Sequence, residues 1–264
     1  MKRYPAVAGL FYPSSPAELR SMIGEFLSAV PDYPEREYVA AIVPHAGYVY
    51  SGPIAAHAYR ALSKVKPRGL VVVGPNHTGY GAAVSVWPDG EWETPLGPVP
   101  VDTNLAEDII NRSAYAVADH DAHIREHSVE VQLPFLQYVY GDFSFVPVVM
   151  GYQAHDAAVD LASSVPPDSI LIASSDFSHY VPAHLGRELD MRAIDYILRL
   201  DARGFYSYVL DNDVSVCGVG PIMAAVEFAR RLGARAELLA FGNSGDVTGD
   251  YGSVVDYAAI VFYR

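Results

Sequence analysis

The chain has 264 residues, 51% of them hydrophobic and 19% charged, which is the profile of a globular protein long enough to bury a large core. Its net charge of −13 leaves no basic surplus for a nucleic-acid partner, and no apolar run approaches the roughly 20 residues of a membrane span. A single cysteine, Cys217, excludes an intramolecular disulfide framework, and with no apolar signal core behind Lys2-Arg3 a cytoplasmic protein is expected.

Residues 4–13, with two prolines and a glycine, read as an irregular segment packed across the domain. Ser14-Ser15-Pro16 opens a helix whose apolar stripe is Leu19, Met22, Ile23, Phe26 and Leu27. Val39 to Val43 is a buried strand that breaks at Pro44-His45. A helical pattern then runs from Ser51 or Gly52 to residue 63. Strand 69–74 ends at Gly74-Pro75-Asn76-His77, strand 82–87 follows, and the Pro-, Gly- and Trp-rich stretch 88–100 suggests a hairpin. Asp102 caps a helix over 103–112, and Ala114 to Ala118 forms a short strand. Residues 119–136 make an acidic, histidine-rich loop. Within it His123 and His127, at i and i+4, would share a face of a helix; His120 and His123 read as solvated, while Glu126-His127-Ser128 opens an apolar helix that turns His127 toward a cleft as a further catalytic candidate. Strand 143–150, helix 154–164, strand 169–174, helix 186–200 and a short helix over 205–210 come next. Helix 218–232 starts at Cys217-Gly218, and strands 236–241 and 253–263 close the chain. The alternation argues for one α/β domain over residues 1–264, a mixed central sheet with helices on both faces.

Three strands therefore end in histidine: Pro44-His45, Asn76-His77 and Ser174-Ser175-Asp176-Phe177-Ser178-His179. Ligands of open α/β sheets bind beyond the carboxyl ends of strands. His45 and His77 are candidate metal ligands. Cys217, at a helix amino terminus that favours thiolate, is the candidate third. Two imidazoles and a thiolate leave zinc, copper or an unusual iron site open. Asp176 and His179 could act as an acid/base pair, the carboxylate setting the imidazole tautomer, or as further ligands. A ligand-binding pocket without turnover, rimmed by Tyr48, Tyr50 and Tyr80, and metal-free thiol chemistry at Cys217 are the competing readings. His57, His155 and His184 read as surface or core residues.

Several of these segments together carry a resemblance. Val43-Pro44-His45-Ala46-Gly47-Tyr48, Gly74-Pro75-Asn76-His77, Glu126-His127-Ser128-Val129-Glu130-Val131-Gln132-Leu133-Pro134-Phe135 and Ser174-Ser175-Asp176-Phe177-Ser178-His179 resemble the signatures of the Memo family. Its archaeal and bacterial members are called AmmeMemoRadiSam system protein B. The opening Ala8-Gly9-Leu10-Phe11-Tyr12-Pro13, Cys217-Gly218 and residues 253–259 extend the match to nearly the whole chain. The resemblance implies a fold like the class III extradiol (LigB-type) dioxygenases, where two histidines and a glutamate hold iron(II). By position His45 and His77 would match those histidines, Cys217 would stand in place of the glutamate, and His179 would match the acid/base histidine. It implies a metal-dependent oxidoreductase using iron(II), with copper or zinc as alternatives. It also implies a small-molecule or peptide ligand and a functional link to a radical-SAM protein and an AMMECR-type protein.

Overall fold

Apolar runs too continuous to leave a face in water become the central strands of a mixed sheet. The computed structural model describes residues 1–264. In chain order it contains β1 (Lys2–Arg3), α1 (Pro16–Ala29), β2 (Tyr38–Val43), α2 (Tyr48–Leu62), β3 (Gly69–Pro75), β4 (Val84–Val86) and β5 (Glu91–Thr94). There follow β6 (Gly97–Pro100), α3 (Thr103–Arg112), β7 (Ala116–Ala118), α4 (Leu133–Tyr140), β8 (Val146–Met150), α5 (His155–Ser164) and β9 (Ser169–Ser174). The chain ends with β10 (His179–Val181), α6 (Ala183–Leu198), α7 (Ala202–Asp211), α8 (Val219–Arg231), β11 (Arg235–Asn243), α9 (Gly245–Thr248) and β12 (Val254–Tyr263).

The main sheet runs β10-β12-β2-β9-β3-β8-β4-β7, with β11 also paired to β12. Its centre, β2-β9-β3-β8, is parallel, and β12 and β4 join it antiparallel. Alternate residues feed two cores. Ile42, Val71, Val73 and Leu171 face α3 and α5 to α8, while Ala41, Val43, Val72 and Ile172 face α1, α2 and α4. Val43 pairs with Ser174 and Val73 with Ala173, so β2, β9 and β3 end level with one another. That register sets the three histidine-bearing turns side by side. No helix is long and apolar enough to cross a membrane.

Ser15 and Asp102 cap α1 and α3 as their sequences require, accepting from the N–H groups of Glu18 and Leu105. Helix α2, by contrast, begins at Tyr48 rather than Ser51. The N–H of Tyr48 donates to Phe11 O at 2.7 Å, so the irregular N-terminal segment satisfies a helix end that has no local cap. The apolar helix expected from Glu126 begins only at Leu133, with Pro134 in its first turn, after a 3-10 turn at Glu130–Gln132. Residues 119–129 are instead a chain of turns, anchored where the Asp119 carboxylate accepts from Ala82 N, Ser85 Oγ and Asp121 N. His123 and His127 thus do not share a helical face. His123 is wholly buried between Trp87 and Trp92, not solvated. A small second sheet, β1-β5-β6, lies beside this loop.

One buried pair makes stability depend on pH. Asp190 on α6 and Asp256 on β12 are both fully buried. Ser178 donates to Asp190 from its N–H and its hydroxyl, whereas no amide or hydroxyl reaches the Asp256 oxygens. Burial and the neighbouring Asp190 carboxyl raise Asp256 to about 8, so Asp256 keeps its proton beside Asp190 at neutral pH. A raised folded-state value means the fold holds a proton that the unfolded chain releases. This pair's contribution to stability is therefore full at pH 4 and below and falls as pH rises toward 8. Thermal melting from pH 4 to pH 8 is expected to show the wild type losing several degrees of Tm relative to Asp256→Asn as pH rises. An equal slope in that variant would assign the dependence elsewhere.

Candidate metal centre

His45 follows Pro44 beyond the end of β2 and is 2% exposed. Its N–H donates to Asp176 Oδ1 at 2.8 Å, and its ring Nδ1 lies 2.8 Å from Ser174 Oγ. The other ring nitrogen, Nε2, is 3.3 Å from Cys217 Sγ. Cys217 arrives from the loop before α8. There the Asp176 N–H donates to its sulfur at 3.2 Å, and the Gly218 N–H donates to Ser175 Oγ at 2.9 Å. A Cβ at position 218 would stand 2.6 Å from Ser175 Cβ and 2.9 Å from Ser174 O, so only glycine lets this loop close on β9. Burial, reinforced by the Asp176 carboxylate, pushes the Cys217 thiol up. The helix terminus expected to favour thiolate is outweighed by this burial.

His77 sits in a turn made by Asn76, whose Oδ1 accepts from the N–H groups of Thr78 and Gly79. Its side chain, 33% exposed, faces the opening. Glu126, fully buried, accepts from His77 N at 2.6 Å and from His77 Nδ1 at 2.8 Å. The N–H groups of His127 and Ser128 donate to the same carboxylate, each at 2.9 Å. Burial alone would raise this carboxyl, but the His77 hydrogen bond and charge, with the backbone donor, hold it at about 2. A carboxylate only accepts, so His77 Nδ1 carries a hydrogen, and in the neutral imidazole the lone pair is then on Nε2. Glycine is needed here too: a Cβ on Gly74 would lie 2.2 Å from Ser128 Oγ and 2.8 Å from its Cβ. Gly74→Ala is expected to push the 126–128 turn off β3 and cost about 1–3 kcal/mol, read as a shift in urea midpoint. An unchanged midpoint would mean that the turn yields freely.

His45, His77 and Cys217, from three separate parts of the chain, each bring one donor atom within 4.8 Å of the others'. His77, Glu126 and His127 form an overlapping group. The His127 ring stacks on His77 with centroids 4.6 Å apart and meets Phe11 at 4.8 Å. Burial, helped by the His77 charge and opposed by Glu126, lowers His127 to about 4, so it is a neutral wall of the pocket.

His179 begins β10, an element that pairs only with the start of β12 and has no local signal. Its ring Nδ1 is 2.8 Å from the Ser215 carbonyl, which fixes the hydrogen on Nδ1 and frees Nε2 to accept a proton. Asp176 does not set this tautomer, contrary to expectation. It spends Oδ1 on the His45 N–H, and burial raises it to about 6 against that hydrogen bond. Its other oxygen is 4.0 Å from His45 Nε2. The tyrosine rim also needs correction. Tyr48 is buried and donates to Val131 O, while Tyr50 and Tyr80 are exposed.

Glu126, Ser174, Gln132 and Ser215 are functional candidates that pattern reading passed over. For Glu126 the signal was a carboxylate beside His127 in an otherwise apolar run. For the Ser215 carbonyl there was none, since a backbone atom leaves no trace in residue type.

Fold and site together define an α/β protein with a His/His/Cys candidate metal group beyond the carboxyl ends of a mixed sheet. The family model described as "Memo-like protein" matches residues 3–261. A MEMO1 family protein of Desulfurococcus amylolyticus is 48% identical over 99% of both chains. Those of Methanopyrus kandleri, 44% identical over the whole of both chains, and Thermoplasma acidophilum, 45% identical over 99% of this chain and 98% of its own, agree. The chain belongs to the Memo family.

Proposed function

We propose that this protein holds a divalent transition-metal ion through His45, His77 and Cys217 and uses it in an oxidation–reduction reaction of a small molecule, iron(II) being the expected ion and copper or zinc its competitors. The observation that carries the reading is the 3.3 Å approach of His45 Nε2 to Cys217 Sγ within a three-donor group. Bonds of about 2.0 Å to imidazole and about 2.3 Å to thiolate at tetrahedral angles separate the donors by roughly 3.5 Å, close to that spacing. Imidazole and thiolate together suit iron, copper and zinc rather than calcium or magnesium. Three protein donors leave a coordination position for a ligand, and the ion when bound supplies Lewis acidity and, for iron or copper, electron exchange.

The chain's own groups have distinct tasks in this reading. Glu126 orients His77. His179 Nε2 accepts or returns a proton at the pocket mouth. Phe11 and His127 keep water from one side of the site. Cobalt(II) titration under anaerobic conditions tests the ligand set through the thiolate-to-cobalt absorption band. One equivalent with that band, lost in Cys217→Ala, is expected; equal uptake by the variant would remove Cys217 from the site. The competing binding-module reading draws on exposed Tyr50 and Tyr80, and requires ligand affinity that chelation leaves unchanged.

A further inference from the structure

The ring nitrogen of His45 that faces away from Cys217 ends a hydrogen-bond chain in which every proton can be assigned. Ser174 Oγ lies 2.6 Å from Ser128 O, 2.8 Å from Gln132 Nε2 and 2.8 Å from His45 Nδ1. A carbonyl oxygen only accepts, so the single hydroxyl proton of Ser174 goes to Ser128 O. The hydroxyl oxygen then accepts from its two remaining neighbours, and His45 Nδ1 must carry a hydrogen. The orientation of the Gln132 amide is fixed independently. Its Nε2 stands 3.0 Å from Pro44 O, and turning the amide over would set oxygen against oxygen there. Its Oε1 accepts from the Tyr59 hydroxyl at 2.6 Å. Tyr59 is itself fully buried and stacked on Phe135, with centroids 4.8 Å apart.

We infer that Tyr59, Gln132 and Ser174 form a positioning relay that locks His45 in the Nδ1–H tautomer, so that its Nε2 lone pair points at Cys217 before any cation arrives. The purpose of the relay rests on the metal-binding reading, but the tautomer belongs to the protein alone. Without a fixed acceptor at Nδ1, nothing keeps the imidazole proton off Nε2, and a protonated Nε2 cannot bind a cation. His77 receives the same service from the Glu126 carboxylate. For His45, which already has Asp176 and Cys217 as neighbours, the relay is built of neutral groups and adds no further negative charge. Its members come from α2, the 3-10 turn and β9, so one residue change in any of three distant segments reaches the same ring nitrogen.

The test is long-range ¹H–¹⁵N correlation on metal-free protein labelled at histidine, which distinguishes N–H from bare ring nitrogens. In the wild type, His45 is expected to show Nδ1 protonated and Nε2 bare. In Ser174→Ala and in the milder Gln132→Met, proton density is expected to move onto Nε2 while His77 keeps its pattern. Zinc affinity, measured by competition with a chelating dye, is expected to fall about 10–100-fold in both variants. A wild-type His45 protonated on Nε2 would overturn the inference without recourse to any variant. So would a Ser174→Ala protein with unchanged His45 nitrogens and unchanged zinc affinity. A wild type that shows the expected tautomer and takes up no zinc would support the relay and sink the metal-binding reading.

Discussion

Arg3→Met is expected to lower the free energy of unfolding by about 3–5 kcal/mol, because it strands a buried carboxylate. The Arg3 guanidinium is fully buried, 2.6 Å from Glu130, and lies 4.2 Å over the Trp92 ring. It also donates to His123 O at 3.0 Å and to Glu126 O at 2.6 Å. Glu130 in turn accepts from Ala6 N, Val7 N and the Tyr12 hydroxyl, so the pair ties the N-terminal segment to the turn that carries Glu126 and His127. Removing the guanidinium leaves Glu130 charged and desolvated, while Arg3→Met with Glu130→Gln removes that charge and should recover part of the loss. Urea unfolding, with the midpoint shifting at constant slope, measures both. A loss below about 1 kcal/mol in the single variant, the scale of an exposed ion pair, would contradict the buried-pair assignment.

Glu126→Gln is expected to weaken metal binding about 10–100-fold, with a stability cost of about 1–3 kcal/mol. Four donors converge on this carboxylate: the backbone and ring nitrogens of His77 and the N–H groups of His127 and Ser128. An amide of the same shape must turn its NH₂ toward at least one of them, setting donor against donor. Where His77 is the loser, its ring no longer has a fixed tautomer or orientation. Chelator competition for zinc gives the affinity and thermal melting gives the stability. If affinity holds while stability falls, Glu126 supports the turn and has no influence on His77 as a ligand.

The residues that gather in the candidate site were legible where their signals are local. A strand that breaks at Pro44 or Pro75 and is followed within two residues by histidine advertises its position, because the apolar run, the break and the histidine lie close together in the chain. Cys217 was legible because a lone thiol ahead of a glycine and an apolar helix stands out. What escaped was set by partners distant in the chain. The start of α2 depends on Phe11 O, β10 exists only through its pairing with Val254 and Val255, and the 119–129 turns follow the Asp119 carboxylate. His123 looked solvated because its loop is acidic; Trp87 and Trp92, about thirty residues earlier, bury it. The tautomer of His179 rests on a backbone carbonyl, which no residue type encodes.

The most direct measurement of the His45, His77 and Cys217 reading is metal content of anaerobically isolated protein beside its Cys217→Ala and His77→Ala variants. About one iron or copper ion per chain in the wild type, and none in either variant, is the expected result. Wild-type protein that carries no transition metal and takes up none on anaerobic titration, or variants that retain it in full, would contradict the three-ligand centre and return the pocket to ligand binding alone.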